Sequence, residues 1–355
     1  MIAAACALAF TLAPINPADA VEKDRLQGLL TSIPTKRAAL GDAEHRRGLA
    51  DTERWLTQRL DALSLPHAAH EFEWTNALLE MALRREATPA QDTPPLDPPA
   101  PRTPPTWRNY IVELKGDDLA REVLILGAHY DAFPNTPGAD DNATGVAAAL
   151  ETLRALKDQP RRRTLRVAFF TLEEAGLVGS RQLVKDHRHL WTPTKNHPQP
   201  PEALVGMVSL EMLGFFSDDP DSQKLPPGAG AILKDPESLT VGDFIAVGGI
   251  ARHRAFSGPF AKALQDAEPS LRVLVADAFP IAPPDLLRSD HGPFIAAGLP
   301  AVILTDTANF RNPNYHKPTD TTDTIDLDRF ALTVRAIVGA THTLLNPPRD
   351  DAPTP

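Results

Sequence analysis

VLILGAHYDAFPNTPGADDNATGVAAALETLRALK, residues 123–157, reads as a strand, a loop dense in charged groups, and a helix. The run Val123–Ala128 is short, apolar and bounded by polar residues, as a buried strand is. Val146, Leu150, Leu153 and Leu156 then recur at helical spacing and share one face. Between the two elements stand His129, Asp131, Asp140, Asp141 and Asn142. A strand that returns through a helix is the repeating unit of a parallel sheet.

The same alternation continues on both sides. Asn109–Leu114, Thr164–Thr171, Leu204–Leu210, Phe244–Val247, Leu271–Val275 and Ala301–Thr305 have strand character. Helices are predicted over 22–63 (one or two), 143–157, around Ser180–His189, and from Asp326 to Leu345. The last buries Leu327, Phe330, Val334, Ile337 and Leu344, with Thr341 the one polar residue in that stripe. These features predict an α/β fold: a mostly parallel, mixed central sheet flanked by helices. No internal repeat is found.

Composition sets further bounds. The chain has 355 residues, 42% of them apolar, enough for one large domain. A net charge of −10 excludes a nucleic-acid binder, because nothing here would neutralise phosphates. Residues 1–20, MIAAACALAFTLAPINPADA, are expected to be a signal peptide ending in the small-residue triplet Ala18-Asp19-Ala20, and too short for a membrane span. That predicts a periplasmic or secreted protein. Cys6 is the only cysteine, so the mature chain has neither disulfide nor thiol nucleophile. The expected layout is one domain over 21–347, with a Pro-rich solvated loop at 86–105 and an excursion at 212–240 that acts as a lid or as a passive insertion. A disordered tail follows at 348–355.

Open α/β sheets bind ligands beyond the carboxyl ends of their strands. At those ends lie His129 and Asp131, Glu173 and Glu174, Glu211, and a loop with Asn314-Tyr315-His316. Taken singly, each has a bland reading: a loop histidine, a turn with a helix cap at Asp140–Asn142, an exposed acidic pair. Together they place several carboxylates on one edge, where mutual repulsion and desolvation demand a compensating positive charge. Apart from Lys317, no Lys or Arg stands immediately beside these motifs. Divalent metals supply the charge. Histidine and carboxylate donors without Cys suit zinc, or less specifically manganese or cobalt. Two His and three carboxylates serve two metals if one carboxylate bridges them.

The motifs HYD, GADDNATG, EEAGLVGS, SLEM, SDH and YHKPTDT follow in the order seen in the co-catalytic zinc aminopeptidases, which this chain resembles over roughly 109–330. Relatives of that family include glutamate carboxypeptidase-type enzymes and single-zinc glutaminyl cyclases. The resemblance implies a secreted exopeptidase with a peptide substrate and two Zn2+. His129 is then the terminal ligand of one metal, with Asp131 accepting its second ring N–H. Asp141 bridges both metals, and the peptide bond to Asn142 is expected to be cis. Glu173 is the general base, while Glu174, Glu211 and His316 are ligands. Glu211 departs from the Asp that better-known members carry. Asp290 and His291 face the substrate or support the ligands. A carboxypeptidase-type enzyme would instead need arginines for a substrate carboxylate, and Arg252, Arg254, Arg288 and Arg311 are the candidates. A glutaminyl cyclase and a non-catalytic metal-binding protein also fit the same motifs. Native metal, side-chain preference and oligomeric state are not given by the sequence.

Overall fold

The computed structural model describes residues 16–87, 104–195, 198–227, 230 and 239–349. Two N-terminal helices, α1 (Lys23–Ser32) and α2 (Ala43–Ala62), precede β1 (His67–Glu73) and α3 (Ala77–Ala87). Then come β2 (Thr106–Leu114), β3 (Leu119–His129), α4 (Gly145–Leu156), β4 (Arg163–Phe170), α5 (Val178–His187) and β5 (Ala203–Glu211). The chain closes with β6 (Phe244–Gly248), α6 (Arg254–Ala267), β7 (Arg272–Ala276), α7 (His291–Ala296), β8 (Ala301–Thr305) and α8 (Leu327–Leu345).

The strands form one sheet in the order β1-β2-β4-β3-β5-β8-β6-β7. Its centre, β4-β3-β5-β8, is parallel. β2 runs antiparallel to β1 and β4, and β6 runs antiparallel to β8, so the sheet is mixed as expected. Both faces of β3 are buried, which is why its sequence is a continuous apolar run rather than an alternation. Leu124 and Leu126 pack into a large core that also holds α1, α2, α4, α6 and α8. Val123 and Ile125 face the other way, into a smaller core with Leu183 and Val184 of α5 and Phe294 and Ile295 of α7.

Parallel pairing puts the carboxyl ends of four strands on one edge. His129 is level with Phe170, and Glu211 is level with Thr305. One predicted element differs in its bounds: the helix predicted at 143–157 begins at Gly145, because Asp141 and Asn142 leave helical geometry. Of the one or two helices predicted over 22–63, the structure has two, joined by residues 33–42. β1, α3, α6 and α7 had no predicted counterpart.

Residues 1–15 of the predicted leader, 88–103 of the Pro-rich loop, 228–229 and 231–238 of the predicted excursion, and 350–355 of the tail lie outside the described residues. Pro17–Ala20 form a short turn with Ala18 and Val21 buried. No helix among the described residues is long and apolar enough to cross a membrane.

Candidate metal centre

The sheet edge brings the predicted ligands within reach of one another. His129 Nε2 lies 3.3 Å from Asp141 Oδ1 and 3.4 Å from Glu211 Oε2. His316 Nε2 lies 3.2 Å from Asp141 Oδ2 and 3.2 Å from Glu174 Oε2. Two triads thus share Asp141, and in each the ligand atoms stand within 4.8 Å of one another. Glu173 belongs to neither triad. Its Oε2 sits 4.0 Å from His129 Nε2.

Asp131 is beside His129, but its contacts differ in detail from the expected one. The ring Nδ1 is 3.1 Å from the Asp131 carbonyl and 3.6 Å from its carboxylate. The carboxylate instead accepts the backbone N–H of Glu173 at 3.1 Å and of Glu174 at 3.2 Å. Asp131 therefore fixes the turn that carries both glutamates. With Nδ1–H donated to a carbonyl, Nε2 is the ring nitrogen left facing the carboxylates.

The shared aspartate is set by the stretch Ala139–Thr144. The Asp141–Asn142 peptide bond is cis. Asn142 Nδ2 donates to the Leu210 carbonyl, and its Oδ1 accepts the N–H groups of Gly145 and Met212. One side chain thereby ties the start of α4 to the end of β5. Gly145 allows that approach, since a Cβ there would stand 2.3 Å from Leu210 O.

Charge explains what the arrangement is suited to. Burial alone would depress the pKa of His129, but Glu211, Glu173, Asp131 and Asp141 hold it well above that of free imidazole. Burial likewise works against His316, and hydrogen bonds to Asp141 and Glu174 raise it to about 9. Asp141, despite burial, is held well below the carboxylate range by the two histidines. Glu174 rises to about 7 through burial and repulsion from Asp141, and burial also holds Glu173 well above the carboxylate range. Asp290, fully buried, is pushed up to about 7 by desolvation. Burial also depresses His291, to about 4. His129 Nε2 and Glu174 Oε1 are buried atoms in no hydrogen-bond alignment with any neighbour. An unsatisfied buried nitrogen in one triad and an unsatisfied buried oxygen in the other, amid surplus carboxylate, fit divalent cations.

Several supporting residues were not legible in the sequence. Arg37 comes from the link between α1 and α2, is fully buried, and donates to the carbonyls of Pro34, Tyr130, Pro137 and Gly138. It supplies the positive charge that sequence neighbours lack, and burial lowers its pKa only to about 10. Ser289 donates to Glu211 Oε2 at 2.7 Å and meets Ser209 at 2.8 Å, so the longer Glu211 arm is held in place. Asp320 accepts the N–H groups of Asp140 and Asp141. Asp140 itself accepts from Gly214 and Asn312 and points away from the triads. Its neighbour Asp141, expected to be the bridging residue of the pair, is the shared one. The His316 ring is stacked against Phe133 at 4.1 Å and Tyr315 at 3.8 Å. Ser289, Tyr315 and Asp320 sit inside the motifs SDH and YHKPTDT, whereas Arg37 and Phe133 lie outside all six motifs.

A cavity of about 170 Å³ opens beside Glu211. Phe244, Leu274, Phe279, Leu286 and Ile303 make it largely apolar, and residues 223–227 of the predicted excursion close one side. Of the four candidate arginines for a substrate carboxylate, only Arg288 lines it, bonded to Asn309 and Tyr315. Arg252 is bound to the Ile295 carbonyl, Arg254 to Asp277, and Arg311 to Gln223 and the Phe244 carbonyl.

The profile of peptidase family M28 matches residues 109–341. The Escherichia coli protein YfbL is 29% identical over 301 residues, 82% of this chain and 85% of its own length. A zinc aminopeptidase from Bacillus subtilis superposes with a TM-score of 0.61 at 14% identity, covering 94% of this chain and 97% of that one. A Macrostomum lignano glutaminyl cyclase superposes equally well, with a TM-score of 0.61 at 18% identity and coverage of 92% and 90%. At such identities the likeness to solved structures concerns the fold.

Proposed function

The chain belongs to peptidase family M28, and from that premise we propose that it is a zinc-dependent aminopeptidase that removes N-terminal residues from peptides in the periplasm or outside the cell. The observation that carries the reading is the pair of triads sharing Asp141, with a buried glutamate left over beside them. His129, Asp141 and Glu211 would hold one Zn2+, and Asp141, Glu174 and His316 would hold the other. Bound there, the cations would polarise a carbonyl and acidify water.

The chain's own groups do the rest. Glu173 takes a proton from the attacking water and returns it to the leaving amine. Its burial favours that role, because a carboxyl whose pKa is raised by desolvation is a stronger base than an exposed one. Asp131 keeps Glu173 and Glu174 in their separate directions by holding both backbone N–H groups. Ser289 steadies Glu211, and Phe133 and Tyr315 keep the His316 ring from turning. The surplus of carboxylate suits the ammonium of a free N-terminus. The first side chain enters the apolar cavity beside Glu211, so Leu and Phe are favoured over Gly or Glu.

A carboxypeptidase-type reading lacks its arginines, since three of the four candidates are consumed by the fold. The test is metal content by mass spectrometry paired with turnover of aminoacyl-nitroanilides, with and without a blocked α-amine. Near two zinc per chain with cleavage of free-amine substrates alone is the expected result. One metal, no cleavage and cyclisation of N-terminal glutamine would replace this reading with a cyclase. Metal bound without any turnover would point to a non-catalytic protein.

A further inference from the structure

We propose that His70 is a positioning residue for the catalytic turn: through Asn109 it holds the neck of the Thr171–Gly179 segment that carries Glu173 and Glu174. Asn109, in β2, is fully buried. Its Oδ1 accepts the Thr171 N–H at 3.1 Å, and its Nδ2 donates to the Gly179 carbonyl at 2.9 Å. Those two backbone groups stand where the segment leaves the sheet and where it rejoins α5. The neck is closed by a backbone bond from Gly179 N–H to Thr171 O. A Cβ on Gly179 would meet Asn109 Oδ1 at 2.5 Å and Thr171 O at 2.3 Å, so the three groups are in tight contact.

The direction of the Asn109 amide is therefore decided. Its oxygen must face a donor and its nitrogen two acceptors, one of which is His70 Nδ1 at 3.1 Å. It follows that Nδ1 carries the lone pair and Nε2 carries the proton, which Nε2 donates to Asp186 Oδ2 at 3.1 Å. Asp186 is itself held by Gln182 at 2.8 Å. The His70 ring also faces His187 of α5, with centroids 5.0 Å apart, and Phe72 of its own strand. Were Nδ1 to carry a proton, it would oppose the Asn109 N–H. The amide would have to turn, taking its oxygen from Thr171. Asp131 secures the tip of the same segment. His70, on the outermost strand, thus completes from outside what Asp131 does from within.

The activity arm of the test rests on the aminopeptidase reading, and a second arm does not. His70→Asn keeps an acceptor at the level of Nδ1, whereas His70→Gln keeps a donor at the level of Nε2 and loses that acceptor. His70→Gln is expected to lower kcat about threefold to tenfold, the worth of one misplaced hydrogen bond, with KM, metal content and Tm close to those of the parent. His70→Asn should stay within about twofold of the parent. Amide hydrogen exchange across 171–179 should quicken in His70→Gln and not in His70→Asn. Parent-like turnover and exchange in His70→Gln would overturn the proposal. So would equal losses in both variants with a lowered Tm, which mark a merely structural histidine. If the parent cleaves no aminoacyl-nitroanilide, the aminopeptidase reading fails and the exchange measurement alone decides.

Discussion

Glu173 and Glu174 are adjacent, yet their side chains have different partners. Glu174 Oε2 is tied to His316 at 3.2 Å, whereas Glu173 stands 4.0 Å from the nearest histidine nitrogen and is free to move a proton. Glu173→Gln keeps the shape and removes the basicity. It is expected to lower kcat about 10²- to 10⁴-fold while metal content stays at the parent level, as steady-state kinetics and mass spectrometry would show. Loss of metal would make Glu173 a ligand instead. The histidines make a second prediction. Without a cation, the surrounding carboxylates keep His316 protonated up to about pH 9 and hold His129 above its ordinary value. Metal must displace those protons, so zinc binding at pH 7 should release protons, read by calorimetry in buffers of different ionisation enthalpy. At this scale the sequence was informative because ligand types and strand-end positions are local. The contact of Asp131 with two backbone N–H groups was not legible, since it depends on how the 171–179 turn folds back.

Elements explain why scattered residues meet. The link between α1 and α2 was hidden inside a segment that reads as helical, and it delivers Arg37 beneath the loop after β3. Four carbonyls converge on that guanidinium, two of them from Pro137 and Gly138 at the entrance to the Asp141 stretch. Arg37→Met fills similar volume and leaves the carbonyls buried without a donor. It should cost about 3 kcal/mol of stability, measured by urea unfolding, and weaken metal binding. Nothing in the local sequence marks Arg37, because most of its partners are about a hundred residues away. The strands behaved differently. β3, β4, β5 and β8 are buried on both faces toward their carboxyl ends, so each carries an apolar run there that is visible without a structure. β1 is an edge strand reading His67–Glu73 with only Phe72 buried, and such a strand leaves almost no hydrophobic signature. His70 sits on it, which is why its link to the turn could not be read from sequence.

Across the whole molecule, the cation-free protein concentrates its strained ionisations at one end of the sheet. Glu174, Asp290 and Asp320 are each pushed up to about 7 by burial and by their neighbours. A carboxyl whose folded pKa is raised binds its proton more tightly folded than unfolded. Its stabilising contribution is present below the unfolded value near 4 and is lost as pH rises through 7. His291 acts oppositely: burial lowers it to about 4, so it costs stability as pH falls below 6.5. Asp141, held low by the histidines, acts only below about pH 4 and adds no slope from 5 to 8. His316, raised to about 9, loses its stabilising contribution as pH rises, in the same direction as the three raised carboxyls. Together these outweigh His291 over the interval from 5 to 8, and the net slope is negative. The metal-free protein should therefore have a higher Tm at pH 5 than at pH 8. Zinc reverses the sign, because Glu174 then serves as a deprotonated ligand and the bound cations offset the charge of Asp290. Calorimetric scans at both pH values, after chelation and after zinc is restored, test this. Equal pH slopes in the two forms would mean that these buried acids do not sense the metal positions, and the two triads would no longer account for the charge collected at the sheet edge.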